Sequence, residues 1–234
     1  MPPSDTSPTA RSTVRRLAAR CRYDVETIHA IVDEALICHV GFAVDGRPWV
    51  VPTAFARIDD DLYLHGAVGN FALRALTSGI EACITFTLVD GLVLARAAFH
   101  HSMNYRSVMA FGRPQPVIDE AGKEKAVMAI LEHLVPGRTA DTRPPTSEEL
   151  RATLVVRFPL DEASAKVRTG PPGGPGAPPL GRGDPVVPRT GSGGSGWAGS
   201  EASAEVLTTE EASRTIRRFP AERDGMHTGG LVLS

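Results

Sequence analysis

Two apolar, β-branched runs joined by an Asp-Gly pair make up residues 37–53, ICHVGFAVDGRPWVVPT. Asp-Gly between such runs is a strong signal for a two-residue β-hairpin turn, because both residues tolerate a positive φ. We therefore predict one strand from Ile37 to Val44, a tight turn at Asp45-Gly46, and a second strand from Trp49 to Arg57. The hairpin indicates an antiparallel sheet near the start of the folded part of the chain.

The segments around this hairpin continue the pattern of short strands and few helices. Asp24 caps a predicted helix, and Asn70 caps a second, short helix that ends before Gly79. The pair Asp90-Gly91 predicts another tight turn after a strand from Ala82 to Leu88. The other predicted elements are a third strand from Leu62 to Leu64, an extended segment from Tyr105 to Phe111, a helix from Lys123 to Leu134 with Val127, Ile130, Leu131 and Leu134 on its apolar face, and strands from Thr153 to Phe158 and from Ala163 to Arg168. Short antiparallel strands joined by tight turns favour a mainly β protein with a few helices, built as a small barrel, over a βαβ arrangement.

Composition divides the chain into three parts. Residues 1–22 are polar and Arg-rich and predict a flexible lead-in, whereas residues 23–172 have the apolar content of one packed domain. From Gly170 to Gly199 the chain holds 11 of its 23 Gly and 7 of its 19 Pro. Such a segment buries too little apolar surface to offset its ordering entropy. We therefore predict that residues 173–234 form a Gly/Pro-rich linker and a disordered tail.

Charge, cysteine content and hydropathy exclude several classes of protein. The formal net charge is -2, with 25 Lys+Arg against 27 Asp+Glu, so no overall basic field favours nucleic acid. The three cysteines lack the C-x-x-C spacing of zinc or redox sites and are expected to be reduced. The sequence has neither an apolar leader nor a run near the ~20 apolar residues of a membrane span, so a cytoplasmic protein is expected.

Residues 98–108, AFHHSMNYRSV, contain the densest group of polar side chains. They separate two strand-like segments, where a purely structural loop needs only Gly, Pro, Asn or Asp. Ser102, Asn104 and Tyr105 offer hydrogen bonds to a polar heterocycle, and Arg106 offers a bidentate contact to a phosphate. The alternative is that Arg106 pairs with an internal acid and Tyr105 packs in the core. The two adjacent histidines of this run have no third ligand at metal spacing, so no metal site is predicted.

Two further segments carry charge or free backbone donors. The turn from His65 to Asn70, HGAVGN, leads into a predicted helix whose first N–H groups and positive dipole end favour an anion. Arg74 adds a charge one turn later. The alternative is a simple helix entry with Asn70 as its cap. Lys166 and Arg168 share one face of a strand and project together, either into solvent or towards a common anion.

Four segments together resemble the FMN-binding proteins related to pyridoxamine phosphate oxidase, in the branch that includes nitroimidazole-resistance proteins. They are ICHVGF with VPT in the hairpin, LYLHG from Leu62 to Gly66, the run 98–108, and KVRTGPP from Lys166 to Pro172. The resemblance implies a six-stranded antiparallel split β-barrel of Greek-key type. It also implies a homodimer with FMN at the subunit interface.

The resemblance implies which residues meet the cofactor. Pro52 and Thr53 are expected beside the isoalloxazine, and His65, Gly66 and the following turn beside the ribityl phosphate. The other implied contacts are Asn70 and Arg74 in and after that turn, Ser102, Asn104, Tyr105 and Arg106 around the pocket, and Lys166 with Arg168 as cations. The chain departs from its relatives at Gly69-Asn70, where they often carry Ser-Arg, and this weakens the phosphate clamp unless Arg74 substitutes.

The function implied by the resemblance is that of an FMN-dependent oxidoreductase acting on an unidentified small molecule, with the flavin performing the redox step. His65 and Tyr105 are the candidate proton donors beside the flavin. The alternative from another class is a non-enzymatic flavin or haem carrier, or a ligand-sensing dimer. His39 and His65 are then the first candidate haem ligands.

Overall fold

Antiparallel strands make up most of the computed structural model, which describes residues 8–93, 101–170 and 186–187. The helices are α1 (Val25–Glu34), α2 (Phe71–Thr77), α3 (Glu120–Leu134) and α4 (Ser147–Arg151), with short 3-10 helices at Ala18–Arg20 and Arg138–Asp141. The strands are β1 (Cys21–Arg22), β2 (Cys38–Val44), β3 (Arg47–Thr53), β4 (Ala56–Ile58), β5 (Asp61–Ala67), β6 (Ala82–Val93), β7 (Ser102–Gly112), β8 (Gln115–Pro116), β9 (Thr153–Pro159), β10 (Glu162–Arg168) and β11 (Val186–Val187). No helix among the described residues has the length and apolar character needed to cross a membrane.

Two sheets share one hydrophobic core. The larger sheet has the order β1-β10-β7-β6-β2-β3, with β11 pairing with β6 beside this path, and the smaller has the order β4-β5-β9-β8. Every strand pair described in these sheets is antiparallel. Phe55, Phe86 and Phe158 are the largest fully buried side chains of the core. The fold class predicted from the sequence, a mainly antiparallel split β-barrel with a few helices, is confirmed.

The first predicted hairpin forms, but its second strand is shorter than predicted. β2 and β3 pair with Cys38 opposite Thr53, and Asp45 and Gly46 have φ values of 50° and 73°, the positive values of a type I′ turn. The predicted continuation of the second strand to Arg57 is wrong. After Thr53 the chain crosses to the smaller sheet as β4, because this path buries Phe55 in the core.

The predicted turn at Asp90-Gly91 is a β-bulge instead. β6 runs through this pair, and its register against β7 shifts there, which leaves Asp90 as the extra residue. The Asp90 carboxylate accepts hydrogen bonds from the Arg106 guanidinium on β7, and this contact stabilises the bulge. β7 begins at Ser102, so most of the polar run is a strand rather than an insertion, and residues 98–100 lie outside the described residues.

Helix α3 starts earlier than predicted and has a narrower apolar face. It begins at Glu120 rather than Lys123, because Asp119 caps it by accepting a backbone hydrogen bond in its first turn. Leu134, predicted on the apolar face, is exposed because it is the last helical residue. The buried residues of α3 are Ala126 and Ile130.

Parts of both predicted flanking segments contact the larger sheet. In the lead-in, β1 pairs with β10, and the Arg11 guanidinium binds the carboxylates of Glu81 and Glu162. In the predicted linker, Val186–Val187 pair with the end of β6. The domain boundaries at residues 22 and 172 stay predictions.

Candidate functional site

A cavity of about 30 Å³ is bordered by three of the predicted cofactor contacts, Thr53, His65 and Asn70. It lies between β2, β3, β5 and α2. A void of this size holds about one water molecule. This cavity therefore has no room for a ring system. Its other lining residues are apolar: Val40, Val51, Leu64, Ala72, Leu73 and Leu76.

His65 is the titratable side chain of this cavity. Burial lowers the pKa of its imidazole, so the ring is neutral near pH 7. The buried Nδ1 atom has no hydrogen-bond partner among the described residues. A buried polar atom without a hydrogen-bond partner lowers the free energy of unfolding. A neutral imidazole nitrogen in this position is suited to a water, a proton or a metal ion.

Gly66 and Asn70 fix the position of α2 over His65. A Cβ atom at Gly66 would lie 2.7 Å from Leu73 Cδ1, so a larger residue at this position would require the buried Leu73 side chain to move. The Asn70 side chain caps α2 by accepting a hydrogen bond from the Leu73 backbone N–H at 3.0 Å. The turn from His65 to Asn70 therefore matches the alternative in which it is a simple helix entry with Asn70 as the cap.

Pro52 and Arg74 lie outside the cavity. Pro52 is exposed on β3 opposite His39 of β2, whereas its neighbour Thr53 borders the cavity. Arg74 is exposed on α2, a helix that packs against β8 and β9. Arg106 lies on β7 and contacts α1. Arg74 and Arg106, two of the three arginines expected with Arg168 in one phosphate pocket, thus lie on different elements, α2 and β7.

Arg168 and Asn104 form a second, buried group of predicted site residues. Arg168 Nη1 donates to Asn104 Oδ1 at 2.6 Å and to the Met103 carbonyl oxygen at 3.1 Å. Arg168 and Asn104 are 6% and 8% exposed. Burial lowers the pKa of Arg168, and the like charge of Arg20 lowers it further. Both of these acceptors are neutral, and the two contacts orient the guanidinium.

Strand pairing gathers three more predicted residues at the same end of the larger sheet. Tyr105 lies directly opposite Arg168 in the register of β7 and β10, and Lys166 lies opposite Ser107. Tyr105 and Lys166 are half-buried, and Ser102 is exposed at the first position of β7. Five predicted contacts therefore share this sheet end, which is separate from the cavity beside His65.

Arg106 is engaged with two carboxylates inside the fold. Its Nη1 and Nη2 atoms bind Glu34 of α1 at 2.5 and 2.7 Å, and its Nη2 and Nε atoms bind Asp90 at 2.6 and 3.1 Å. These hydrogen bonds, to Glu34 first and then to Asp90, raise the pKa of the guanidinium. The structure thus matches the internal-acid alternative for Arg106.

Two features near these groups were not predicted, although the sequence contains a signal for each. The first is the pair of exposed rings of Trp49 and Phe71, whose centroids lie 5.0 Å apart. Its signal is that apolar and polar residues do not alternate along β3, and five of the seven β3 residues are exposed. Arg20 lies next to β10, and its signal was the run of arginines from residue 11 to 22 without an acid.

Cys38 and Cys83 do not supply a reactive thiol, and the described part of the chain holds no metal site built on cysteine. Burial raises the pKa of Cys38 to about 12 and also raises the pKa of Cys83, so both thiols stay protonated. No group of three His, Cys, Asp or Glu side chains among the described residues is placed to hold a metal ion.

Comparison with solved structures finds two relatives that cover most of the chain. The flavocytochrome Anf3 from Azotobacter vinelandii is 35% identical, with a TM-score of 0.72 over 89% of this chain and 97% of that chain. The FAD and haem binding protein from Mycobacterium smegmatis is 30% identical, with a TM-score of 0.68 over 82% of this chain and 95% of that chain.

A third structure and a family profile agree with these relatives. A candidate 5-nitroimidazole antibiotic resistance protein from Bacteroides thetaiotaomicron is 29% identical, with a TM-score of 0.55 over 63% of this chain and 86% of that chain. No curated protein matches the sequence. Residues 24–167, more than half of the chain, match the profile of the family described as pyridoxamine 5'-phosphate oxidase. The resemblance seen in the sequence is confirmed, and the chain belongs to the pyridoxamine 5'-phosphate oxidase family.

Proposed function

We propose that this protein is a homodimeric flavoprotein. It binds FMN, or a flavin nucleotide that contains FMN, and catalyses a redox reaction on a small molecule. Family membership supports a flavin, and two relatives are described as a flavocytochrome and as an FAD and haem binding protein. The observation that carries the proposal is the buried Arg168 guanidinium held by Asn104. A bound flavin supplies hydride or electron transfer, while the protein supplies binding and orientation.

The end of the larger sheet fits the phosphate group of such a nucleotide. Arg168 is a buried cation with a fixed orientation, and Lys166 adds a cation two residues away on the same strand. Charge-assisted contacts from arginine to phosphate are short, strong and often bidentate. Arg106 is left out of this site, because Glu34 and Asp90 already neutralise it.

The isoalloxazine ring has to lie against the outside of the barrel. The cavity beside His65 holds about one water molecule, far less than a three-ring system needs. Val50 and Pro52 of β3 present an exposed apolar surface next to Thr53. A ring placed there has one face against β3 and needs a cover on the other face.

A second copy of the chain is the cover that the surface of β3 favours. Val50, 68% exposed, lies on the outer face of β3 with Pro52, and Trp49, 45% exposed, lies on the opposite face against the exposed Phe71 ring. Exposed apolar side chains grouped on one edge strand of a small protein mark a binding interface. In a two-fold dimer the same patch of both copies meets.

Neither candidate proton donor lies on the proposed ring surface. His65 borders the cavity with Val51 and Thr53, on the face of β3 opposite Val50 and Pro52. Tyr105 lies opposite Arg168 and therefore belongs to the proposed phosphate end.

Haem is the second candidate cofactor, because two relatives are described as a flavocytochrome and as an FAD and haem binding protein. The cavity beside His65 holds about one water molecule and has no room for a porphyrin. His39, the other candidate ligand, is exposed on β2, so an added haem would have access to its imidazole.

The absorbance spectrum of the purified protein, before and after incubation with FMN, FAD and haemin, tests both candidates. Flavin bands in the visible region support the flavoprotein. A Soret band that is lost in His39→Gln but kept in His65→Gln supports haem on His39. A protein that takes up none of the three contradicts the proposed function.

The phosphate assignment has its own test. Arg168→Gln should weaken FMN binding roughly ten- to 150-fold, the effect of losing one buried, charge-assisted donor, and should change riboflavin binding little. Arg113→Gln is the matched control, because this exposed arginine donates to the Gly79 carbonyl at the other end of β7, roughly 25 Å away at the rise of a strand. Equal weakening of FMN and riboflavin would assign Arg168 to the fold instead.

A further inference from the structure

We propose that an exposed basic surface near the start of the chain docks an acidic electron-carrier protein, which supplies the electrons for the proposed redox reaction. The inference rests on the proposed function and adds a partner to it. The surface lies on residues 11–22, which we call the basic strap, because five of these twelve residues are Arg and none is acidic.

The basic strap carries more positive charge than the fold neutralises. Arg11 is paired with the carboxylates of Glu81 and Glu162. The other four arginines of the strap form no ion pair with any residue that the structure describes: Arg15, Arg16, Arg20 and Arg22. Three of these four are exposed, and Arg20 is half-buried. Their charges are available to an acidic partner.

Contacts with the barrel hold the strap in a defined position. At its start, Arg11 lies over the Phe111 ring, 5.0 Å from the centroid, and Ser12 is buried. The Val14 backbone N–H donates to Tyr23 Oη at 3.1 Å. At its end, β1 joins the larger sheet. The charges are thus displayed on an ordered segment, which lowers the entropic cost of binding a partner.

An exposed aliphatic side chain lies in the middle of the basic run. Leu17 is 48% exposed and follows Arg15 and Arg16 in the chain. Its φ is 60°, a left-handed conformation that is unfavourable for a residue with a Cβ atom and that is common at binding segments. An apolar centre with a polar and charged rim is the usual composition of a protein–protein interface.

The strap ends beside the proposed flavin site. Cys21 lies opposite Lys166, one of the cations of the proposed phosphate end, and the 3-10 helix before Cys21 contacts β10. A carrier docked on the strap is therefore close to the group that it has to reduce. Two successive encounters with a one-electron carrier supply the electron pair that reduction of the small molecule consumes. Two carrier molecules are oxidised, and solvent supplies the protons.

The distribution of charge favours a compact acidic protein over an extended polyanion. The strap holds five of the 25 Lys+Arg residues and none of the 27 Asp+Glu residues, so the remainder of the chain has seven more acidic than basic residues. That remainder repels a nucleic acid or an anionic membrane, both of which extend beyond a strap of twelve residues. A small carrier can contact the strap alone. Encounters between redox proteins typically use such small interfaces.

Titration of the full-length protein with two acidic carriers, a small 2Fe–2S ferredoxin and a flavodoxin, tests the docking site. At least one should bind at low ionic strength, and its affinity should fall roughly tenfold between about 50 and 300 mM NaCl. The double change Arg15→Gln and Arg16→Gln should weaken binding roughly fivefold, the effect of losing two exposed ion pairs. Lysine at both positions keeps the charge and should retain most of the affinity.

Arg138→Gln with Arg151→Gln is the matched control. It removes the same charge at two exposed arginines, whose carboxylate partners are 3.8 and 3.9 Å away. This control should leave carrier binding within about twofold of the wild type. Thermal unfolding, flavin content and reduction of the bound flavin by dithionite should be unchanged in both double variants, since these arginines lie outside the proposed flavin site.

Binding to a DNA duplex and to vesicles of phosphatidylglycerol and phosphatidylcholine distinguishes the other acidic partners. Tighter binding of either probe than of both carriers would overturn the inference, as would equal effects of the strap and control variants. A wild type that holds flavin but binds neither carrier would overturn the docking site and leave the flavoprotein proposal standing. A wild type that binds a carrier but no flavin would contradict the proposed function, and with it the role of the partner as electron donor.

Discussion

Arg106 Nη2 and Asp90 Oδ1 lie 2.6 Å apart across β7 and β6, at the bulge that interrupts their register. The same guanidinium reaches Glu34 in the last turn of α1. One side chain therefore connects the bulged strand, its neighbour and the helix that packs on them. This makes Arg106 a cross-link of the fold, although its position in the polar run is that of a ligand contact.

Replacement of Arg106 by Gln should lower the free energy of unfolding by roughly 1–2 kcal/mol, because a partly exposed charge network and its hydrogen bonds are lost. Urea unfolding measures this change. Flavin affinity should stay within about threefold of the wild type. A large loss of FMN affinity with unchanged stability would return Arg106 to the phosphate site.

Replacement of Gly66 by Ala should destabilise the protein by about 1 kcal/mol, since the new Cβ atom would lie 2.7 Å from Leu73 Cδ1 and the buried Leu73 side chain would have to repack. Gly69→Ala is the control, because a Cβ there meets nothing within 4 Å. Thermal unfolding compares the two variants. Equal effects would show that chain flexibility, rather than the contact with Leu73, determines the result.

Stability should fall as the pH drops below about 6.5, the unfolded value for histidine, and His65 should contribute to this fall. Burial lowers the folded pKa of His65, so the unfolded chain takes up the proton first. The stability that His65 contributes is fully present above the pKa of histidine in the unfolded chain, and it is lost as the pH falls towards the folded pKa of His65. Urea unfolding of His65→Gln between about pH 7.5 and 5.5 should show a shallower slope. His29, whose pKa is lowered by burial and then by Arg57, should keep part of the slope. An unchanged slope in His65→Gln would contradict the burial of a neutral ring.

A charge placed in the apolar patch of β3 should separate the proposed dimer. The wild type should have about twice the 24.9 kDa of one chain by light scattering, and Val50→Asp should approach 24.9 kDa. Ile118→Asp, at another exposed apolar side chain, should remain dimeric. A wild type that is monomeric with flavin bound, or a dimer that survives Val50→Asp, would rule out this interface.

Local sequence signals predicted the elements that local chemistry determines. Asp45-Gly46 forms its hairpin turn, because the two residues themselves tolerate the required φ values. Asp24 and Asn70 cap their helices as predicted, since each cap needs only a backbone N–H three residues away. The family assignment depended on short segments and is confirmed by the profile match.

The errors come from contacts between residues that are distant in the sequence. Asp90-Gly91 has the same composition as the true turn, but Arg106, sixteen residues later, stabilises a bulge instead. Glu34 lies 72 residues before Arg106, and no local pattern shows that the two meet. The His65 cavity is bordered by β2, β3, β5 and α2, whereas the Arg168 group lies on β7 and β10, a division that follows from the order of the strands in the two sheets. Strand assignment alone does not provide that division.

The two prolines of β3 have a consequence for solubility. Backbone N–H groups of a strand alternate sides, and proline is tolerated in a sheet where its nitrogen faces away from the neighbouring strand. Residues 48, 50 and 52 direct their backbone nitrogens to the outer side of β3. Of these three, only Val50 has an N–H group to donate, because the other two are prolines. An edge with so few donors is a poor template for adding further strands. The exposed apolar strand can thus meet a second copy through its side chains without starting the growth of cross-β aggregates.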